Sequence, residues 1–358
     1  MAKLHVHIIY EHGSDLKPFG VAYIRDILPL THPVNAEALQ VTQGTGYSRA
    51  DVIILERAWK PKLTLHQVEQ LVRQVRQDGA YLVYSIDDNL LDLEYPPDEE
   101  LAPGDDYLSP RQAVRFFCRS ADGVLVSTEH LKERLARLNP RIVVLPNALD
   151  ERLFYENGKP LPPDRNTSSC RVIGFMGTFT HDADVMMVLQ ALRGVLRRHS
   201  DSLRFQIVGG VSNPSFLRLF QGLPVQTTHP SPEFAAYPNF TSWMKANMPW
   251  DIGISPLDHT LFNRSKSDIK FLDYSALGIP GIYSRVPTYE GTIRHLETGW
   301  LAENTPAAWT EALDSLLADA DLRHRLAKNA QEYVFARRTL QYNAHLWREA
   351  IFSIMQNR

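Results

Sequence analysis

Apolar runs of strand length alternate with helical patterns along the first part of the chain. Between Leu65 and Gln77 apolar residues recur with helical spacing, and Gly79 follows as a helix stop. Further helices are predicted over 110–120 and 129–138, and strands over 4–10, 51–55, 81–86, 123–127 and 141–145. This alternation predicts a parallel sheet that is covered by helices on both faces.

A change in composition separates this half from the next. Residues 157–164 are rich in Pro, Gly and polar residues, which is typical of a linker. The alternation then restarts, with strands predicted over 171–176, 203–208, 251–255 and 281–284 and helices over 184–199, 306–318, 322–337 and 340–355. We therefore predict two α/β domains, 1–155 and 171–338, which are joined by a linker over 156–170. In such sheets ligands bind at the carboxyl ends of the strands.

The segment 262–280 carries the densest set of signals. Its pattern predicts one short helix over 266–277, in which Ser265 caps the first turn and Asp268 completes a capping box. Gly278, followed closely by a proline, predicts the end of that helix.

One face of this predicted helix is polar. Lys266, Lys270 and Asp273 recur at spacings of four and three, which places them along one side. A helix start with two lysines beside it suits a diphosphate, and a carboxylate further along accepts hydrogen bonds from ribose hydroxyls. The same pattern also fits a surface helix with a solvated charged face.

Loops at other predicted strand ends of the second half are compatible with phosphate. The loop 177–182 follows one strand and precedes a helix, and Gly209 ends the next strand. The loop residues that we predict to bind a phosphate-containing ligand are Gly177, Thr178 and His181. An ordinary turn with Asp182 as helix cap is the alternative.

The first predicted strand leads into a Gly-containing loop and then a helix. The candidates here for contacts with an acceptor or a donor phosphate are His12, Gly13, Phe19 and Gly20. The loop lacks the G-x-G-x-x-G spacing, so a dinucleotide site is not supported.

Asp87 and Asp88 end another predicted strand. They are candidates for holding a divalent metal or for acting on an acceptor hydroxyl, and plain loop acidity is the alternative. The chain has no G-x-S-x-G, Walker A, H-E-x-x-H or paired C-x-x-C sequence, which argues against hydrolase, P-loop and zinc classes.

Composition sets broader bounds. At 358 residues with 44% hydrophobic residues, the chain can build two cores. Its net charge of −3 gives no sign of nucleic-acid binding. Cys118 and Cys170 lie far apart, no apolar run is long enough to span a membrane, and residues 1–10 do not form a signal peptide. We therefore expect a cytoplasmic protein.

Four segments resemble one known family. Residues 262–280 resemble the donor-site signature of glycosyltransferase family 4 and related group 1 enzymes, and residues 85–90, 144–150 and 177–184 are similar to other segments of that family. The resemblance implies the GT-B fold, in which two Rossmann-like domains face each other across a cleft. It also implies that the final helix, 339–358, packs back on the first domain.

The resemblance assigns roles to residues of the signature. The E-x7-E motif of the family falls on Ser265 and Asp273. Asp273 would bind the ribose, whereas Ser265 supplies no charge where the family has an acid that contacts the donor sugar. Lys266 and Lys270, with the Gly177–Thr178 backbone, would stabilise the diphosphate, and Ser267 lies in the same donor-binding segment.

The activity implied is transfer of a sugar from a nucleoside-diphosphate sugar to a hydroxyl of a glycan or lipid-linked acceptor, in polysaccharide or glycoconjugate assembly. We expect a retaining enzyme without metal or cofactor; an inverting one would need a base such as Asp87, Asp88 or His12. A lipid-linked acceptor would bring peripheral membrane contact. Two alternatives stay open: a nucleotide-sugar epimerase of similar fold, and a non-catalytic nucleotide-sugar-binding partner subunit.

Overall fold

The computed structural model describes residues 2–93, 106–163, 165–166, 168–177, 182–209 and 214–356. In chain order the strands are β1 (Leu4–Ile9), β2 (Leu39–Gly44), β3 (Val52–Glu56), β4 (Tyr81–Ile86), β5 (Gly123–Val126), β6 (Ile142–Val144), β7 (Tyr155–Glu156), β8 (Lys159–Pro160), β9 (Arg171–Gly177), β10 (Leu203–Gly209), β11 (Val225–Thr228), β12 (Ile252–Ser255), β13 (Gly281–Ser284) and β14 (Trp300–Ala302).

The α-helices are α1 (Gly20–Ala22), α2 (Leu28–Thr31), α3 (Leu65–Gln77), α4 (Pro110–Ser120), α5 (Glu129–Leu135), α6 (Glu151–Phe154), α7 (Asp182–Arg198), α8 (Pro214–Arg218), α9 (Asn239–Asn247), α10 (Leu261–Arg264), α11 (Ile269–Ala276), α12 (Pro287–Glu290), α13 (Pro306–Ala318), α14 (Ala320–Arg337) and α15 (Leu340–Gln356). A π-helical stretch, Tyr23–Ile27, joins α1 to α2.

The chain divides into two compact units. Unit 1 contains Met1–Asp150, Leu261–Ser267 and Thr339–Arg358, and unit 2 contains Glu151–Thr260 and Asp268–Arg338. Each unit is built around a six-stranded sheet in which every strand pair is parallel, as the alternating pattern predicted.

The sheet of unit 1 has the strand order β2-β1-β3-β4-β5-β6. Its central strands are apolar because helices cover both faces. On one face Phe117 of α4 packs against Tyr84 of β4, with ring centroids 5.7 Å apart. On the other face lies α15, where the indole of Trp347 donates a hydrogen bond of 2.5 Å to the carbonyl oxygen of Arg25. The last helix is therefore part of the core of unit 1.

The sheet of unit 2 has the order β11-β10-β9-β12-β13-β14. Helices α7 and α13 pack together on one face, where Trp309 is fully buried. The short hairpin β7–β8 also belongs to unit 2 and occupies part of the predicted linker 156–170.

Five strands escaped prediction from the sequence: β7 and β8 of the short hairpin, and β2, β11 and β14 of the two large sheets. The last three differ from the hairpin in their place in the sheet. Each is an edge strand of its sheet. Only one side of an edge strand pairs with a neighbour, so β2 and β11 are less buried and no apolar run marks them. β14 is apolar but only three residues long. In β2 and β11 most side chains are partly or fully exposed. Across the part of the chain that the structure describes, no helix combines the length and apolar composition that crossing a membrane requires.

Candidate functional site

The strand order of unit 1 reverses between β1 and β3. From β1 the chain runs to β2 on one side and then returns to β3 on the other. In open parallel sheets ligands bind beyond the carboxyl ends of the strands at such a point. Charged residues lie directly after these strands: Glu11 after β1, Arg57 after β3 and Asp87 after β4.

Arg57 joins three carboxylates at these strand ends. Its guanidinium lies 3.1 Å from an oxygen of Glu11, 3.4 Å from Asp87 and 3.2 Å from Asp88. The Arg57 backbone has a left-handed φ of 48°, and its amide donates a 2.9 Å hydrogen bond to the carbonyl oxygen of Ser85. Asp87 and Asp88, two predicted catalytic residues, are therefore held beside a shared cation.

Burial changes the protonation of this cluster. Burial, with a smaller contribution from Asp88, raises the pKa of Asp87 to about 6 against the opposing charge of Arg57. Behind it, the fully buried Glu56 accepts a 2.6 Å hydrogen bond from the backbone amide of Glu11. Burial and the Glu11 charge hold the pKa of Glu56 well above its usual range. Asp87 thus titrates near neutral pH rather than as an ordinary exposed carboxylate.

Lys266 lies in the same cluster of unit 1. Its ammonium nitrogen is 3.6 Å from Asp88 and 4.5 Å from the ring centroid of Phe262. The structure therefore brings together three of the four predicted catalytic residues: Asp87, Asp88 and Lys266. A cation held between a carboxylate and an aromatic face can exchange that carboxylate for a phosphate oxygen.

Side chains of unit 1 fix the backbone on either side of Lys266. The hydroxyl of Thr128 donates a 2.9 Å hydrogen bond to the carbonyl oxygen of Ser265. The side-chain amide of Asn147 donates a 2.8 Å hydrogen bond to the hydroxyl of Ser267. Ser265 is buried, so this position, which holds an acid in the related family, is here a small polar residue tied to its own unit.

The predicted acceptor residues lie near the end of β1. The imidazole of His12 is buried and its Nδ1 is 2.8 Å from the carbonyl oxygen of Gly13. Its Nε2 has no hydrogen-bond partner among the described residues. Phe19 is 45% exposed, and Gly20 begins α1. Phe19 thus presents an exposed apolar face, whereas the unpartnered Nε2 of His12 is buried.

The sheet of unit 2 reverses its strand order between β9 and β12. Gly177 and Gly209 are register partners at the ends of β9 and β10. Gly209 has φ +89°, and a Cβ atom there would lie 2.3 Å from the carbonyl oxygen of Gly177. Only glycine therefore permits this close approach of the two strand ends. The other predicted residues of this loop, Thr178 and His181, lie outside the described residues.

Asp273 is the buried carboxylate of helix α11. It accepts a hydrogen bond from the hydroxyl of Tyr237, which comes from the segment before α9. Burial raises the pKa of Asp273 to about 7, and both the Tyr237 hydrogen bond and the charge of Lys270 oppose that rise. The Lys270 ammonium lies 5.7 Å from the ring centroid of Phe175 on β9. The helix thus places a cation and a carboxyl in one part of unit 2.

The predicted helix over 266–277 needs correction. The structure has a short helix α10 that ends at Arg264 and a separate helix α11 that begins at Ile269. The predicted capping box is wrong, because Asp268 makes no side-chain cap bond within the described chain and instead pairs with Arg338 at 2.8 Å. Lys266 therefore precedes α11 and does not lie in its first turn.

Sequence reasoning did not identify Arg57, Glu11 or Tyr237 as partners of the predicted residues. Arg57 lies 30 positions from Asp87, and Tyr237 lies 36 positions from Asp273. A charged pair directly after a buried strand was the available signal for Arg57, because such strand ends meet at one sheet edge. The segment around Tyr237 carries no periodic pattern that indicates a partner.

Comparison with known proteins defines the class. Residues 170–319 match the family described as "Glycosyl transferases group 1". No curated protein sequence matches the chain.

Solved structures share the architecture over the whole chain. Sucrose-phosphate synthase from Thermosynechococcus elongatus has a TM-score of 0.65 at 15% identity, covering 99% of this chain and 100% of that one. The structure of Anabaena HepE with UDP-glucose has a TM-score of 0.67 at 12% identity, covering 98% of this chain and 100% of that one. The structure of S. aureus TarM has a TM-score of 0.58 at 11% identity, covering 84% of this chain and 55% of that one. At these identities the likeness establishes the fold, which is GT-B.

The resemblance of segment 262–280 to group 1 enzymes is confirmed. Residues 170–319 match the group 1 glycosyltransferases, and this matched stretch contains Gly177, Gly209, Lys270 and Asp273. The chain accordingly combines a segment that matches the group 1 glycosyltransferases with the GT-B fold.

Proposed function

We propose that the protein transfers a glycosyl group from a nucleoside-diphosphate sugar to a hydroxyl of a glycan or lipid-linked acceptor, in polysaccharide or glycoconjugate assembly. The family match over residues 170–319 carries this proposal. Within that segment the strand ends at Gly177 and Gly209 approach each other closely. Lys270 and Asp273 supply a cation for the diphosphate and a carboxylate for the ribose hydroxyls in this proposal.

The leaving group is a diphosphate, so catalysis needs positive charge where negative charge develops. Lys266 and Lys270 are the residues that supply positive charge in this proposal. Two lysines and backbone N–H groups can take the place of a divalent cation, so the proposed reaction needs no metal. We propose retention of configuration, in which no protein carboxylate has to deprotonate the acceptor.

The acceptor residues are proposed in unit 1. His12 and Phe19 offer a hydrogen-bonding ring and an exposed aromatic face, which suit a hydroxyl-rich sugar. Asp87 and Asp88 beside Arg57 are proposed to bind acceptor hydroxyls. Cytoplasmic location is part of the same proposal, with peripheral membrane contact if the acceptor is lipid-linked.

Related structures suggest the first compounds to test. The HepE structure contains UDP-glucose, and the TarM structure contains UDP and α-GlcNAc-glycerol. UDP-glucose and UDP-GlcNAc are therefore the first donors for this chain, followed by GDP- and dTDP-sugars.

Calorimetric titration with these donors is the first test. We expect one of these nucleotide sugars to bind with a measurable heat. If none of them binds, the proposal is overturned. Turnover with the bound donor and a glycan or lipid-linked acceptor extract follows, with transfer of labelled sugar as the expected result. Release of nucleoside diphosphate without any acceptor product would favour the epimerase, and binding without turnover would favour a partner subunit.

A further inference from the structure

The carboxylate of Asp273 is buried and has few hydrogen-bond donors around it among the described residues. A carboxylate has about four acceptor positions, and buried carboxylates normally fill several of them. Among the described residues, Tyr237 provides the side-chain hydrogen bond to Asp273. Asp273 is 3% exposed, so solvent cannot supply many more donors. The second oxygen of Asp273 accepts no side-chain hydrogen bond from the described residues, so it can accept one from a ligand.

Three titratable side chains besides Tyr237 act on Asp273 among the described residues. Lys270 on the same helix is the cation that acts on Asp273. Tyr274 of α11 and Tyr283 of β13 also face it, and burial holds the pKa of both phenols well above the usual range, so both stay neutral. The hydroxyl of Tyr274 donates to the carbonyl oxygen of Ile254 at 3.1 Å, so its proton is already used.

Tyr237 is held in place by its own packing. It is 8% exposed, and its ring centroid lies 6.4 Å from that of Phe240 on α9. Phe240 in turn stacks on Trp243 at 5.9 Å with an angle of 13° between the rings. The phenol is therefore a rigid donor rather than a mobile side chain, which lets it select one orientation of the carboxylate.

We propose that Tyr237 is a positioning residue of the nucleotide site: its hydroxyl holds one oxygen of Asp273 so that the other oxygen accepts a hydrogen bond from a ribose hydroxyl. This inference rests on the proposed function, because it needs a nucleotide in unit 2. Tyr237 itself does not touch the sugar. It acts through Asp273 and thereby sets the preference for ribose over deoxyribose.

The test compares ribonucleotides with their deoxy analogues. Calorimetry with UDP, GDP and ADP, each against its 2′-deoxy and 3′-deoxy forms, measures the contribution of each hydroxyl. The wild-type protein is expected to bind one ribonucleotide at least about tenfold more tightly than one of its deoxy forms, as a hydrogen bond to a charged group implies. Tyr237→Phe is expected to lower that ratio by at least about threefold while the deoxy form binds as before.

A pH series supplies a readout that a purely structural role would not change. Asp273 accepts a ribose hydrogen bond best as the carboxylate, so the ratio of ribose to deoxyribose affinities should rise with pH through about 7. The phosphates are common to both ligands and cancel in the ratio. Because the Tyr237 hydrogen bond favours the ionised form, Tyr237→Phe should move the midpoint upward by about one pH unit.

Two further variants make the result specific. Tyr47→Phe is the matched control, since Tyr47 donates a similar hydrogen bond to Asp78 in unit 1, and it should leave both readouts unchanged. Asp273→Asn should bring the ratio of ribonucleotide to deoxynucleotide affinities to about one. Adding Tyr237→Phe to that variant should have no further effect. If Tyr237→Phe does not fold, Asp273→Asn decides the question. A wild-type ratio of ribonucleotide to deoxynucleotide affinities in Asp273→Asn then overturns the proposal.

The outcomes separate this inference from the proposed function. A wild-type protein that binds a nucleotide without regard to the ribose hydroxyls overturns the role of Tyr237 and leaves the glycosyltransferase proposal standing. The same holds if Tyr237→Phe keeps the wild-type ratio and midpoint. A wild-type protein that binds no nucleotide overturns both.

Discussion

Asp268 and Arg338 form a two-point ion pair inside unit 2. The guanidinium nitrogens of Arg338 lie 2.8 and 2.9 Å from the two oxygens of Asp268. Asp268 directly precedes α11 and Arg338 directly follows α14, so the pair joins the start of one helix to the end of another. Both side chains are largely buried, at 8% and 13% exposed. Asp268, which was predicted to complete a capping box, therefore holds the position of α11, the helix that carries Lys270 and Asp273.

Arg338→Leu is expected to destabilise unit 2. Removing one partner of a buried ion pair leaves an unpaired charge and costs about 3 kcal/mol of unfolding free energy. Urea unfolding followed by tryptophan fluorescence measures the change. Arg198→Leu is the matched control, because Arg198 pairs with Asp314 at 2.7 Å while both are about half exposed. That variant should lose less than about 1 kcal/mol, and equal losses would contradict the prediction.

Gly209→Ala should be more damaging than an equivalent change at Gly222. Both glycines have a left-handed backbone, with φ of +89° and +77°. An added Cβ at Gly209 would collide with the backbone oxygen of Gly177, whereas nothing lies within 4 Å of the Cβ position at Gly222. We expect about 1 kcal/mol of lost stability at Gly222 and at least about 2 kcal/mol at Gly209. Thermal unfolding of both variants checks this, and a smaller loss at Gly209 would be inconsistent with the close approach.

Lys270→Ala is expected to weaken binding of the nucleoside diphosphate. The loss of one charged contact to a phosphate costs about 1.4 kcal/mol, which is tenfold in Kd. Titration with UDP, or with whichever diphosphate binds the wild type, measures it. Lys328→Ala is the control, since Lys328 is 59% exposed and pairs with Glu332 at the surface of the same unit. Unchanged affinity in Lys270→Ala would remove this lysine from the donor site.

Lys266→Ala tests the unit 1 cation separately. Lys266 lies 3.6 Å from Asp88, so in the variant Asp88 loses one of its cationic partners. We expect the rate of sugar transfer to fall at least about tenfold, because positive charge at the leaving group lowers the barrier. Lys132→Ala, at an exposed i,i+3 pair with Glu129, is the control. A wild-type rate in Lys266→Ala would show that the leaving group needs no charge from unit 1.

The stability of unit 1 should depend on pH through Asp26. Asp26 is fully buried, and burial raises its pKa from 3.8 to about 6. The folded protein therefore binds this proton more tightly than the unfolded chain, so the stabilisation is fully present below about pH 4 and is lost as the pH rises through about 6.

The variant Asp26→Asn lacks this titration. The difference in unfolding free energy between wild type and variant should favour the wild type by about 1 kcal/mol more at pH 5 than at pH 7.5. Denaturant unfolding at both pH values measures the difference. A difference that is constant with pH, or that grows with pH, would contradict the raised pKa.

Much of the fold was predictable because interior elements carry their signal locally. β4 and β13, which are buried on both sides, have the predicted bounds, and so do α3 and α13. The missed strands β2 and β11 have a common physical cause. Edge strands such as β2 are defined by hydrogen bonds to one distant neighbour and need no apolar run, so their own residues do not reveal them.

The segment 262–280 shows where a local pattern misleads. Spacing alone made Ser265 and Asp268 a capping box and placed Lys266 and Lys270 on one helix. In the structure the hydrogen bond from Thr128 holds Ser265, and Arg338 pairs with Asp268. Partners far away in the chain outweighed a cap that is worth about 1 kcal/mol.

The sequence by itself determined the alternation of strands and helices, the parallel sheets and the strand-end positions of Asp87, Gly177 and Gly209, since hydrophobic periodicity and turn residues act over a few positions. Only the tertiary structure decided which charges meet. Arg57 binds three carboxylates because parallel strands bring their carboxyl ends to one edge. Tyr237 binds Asp273 because the segment before α9 lies beside helix α11. Burial there, which no residue shows on its own, raises the pKa values of Asp87 and Asp273.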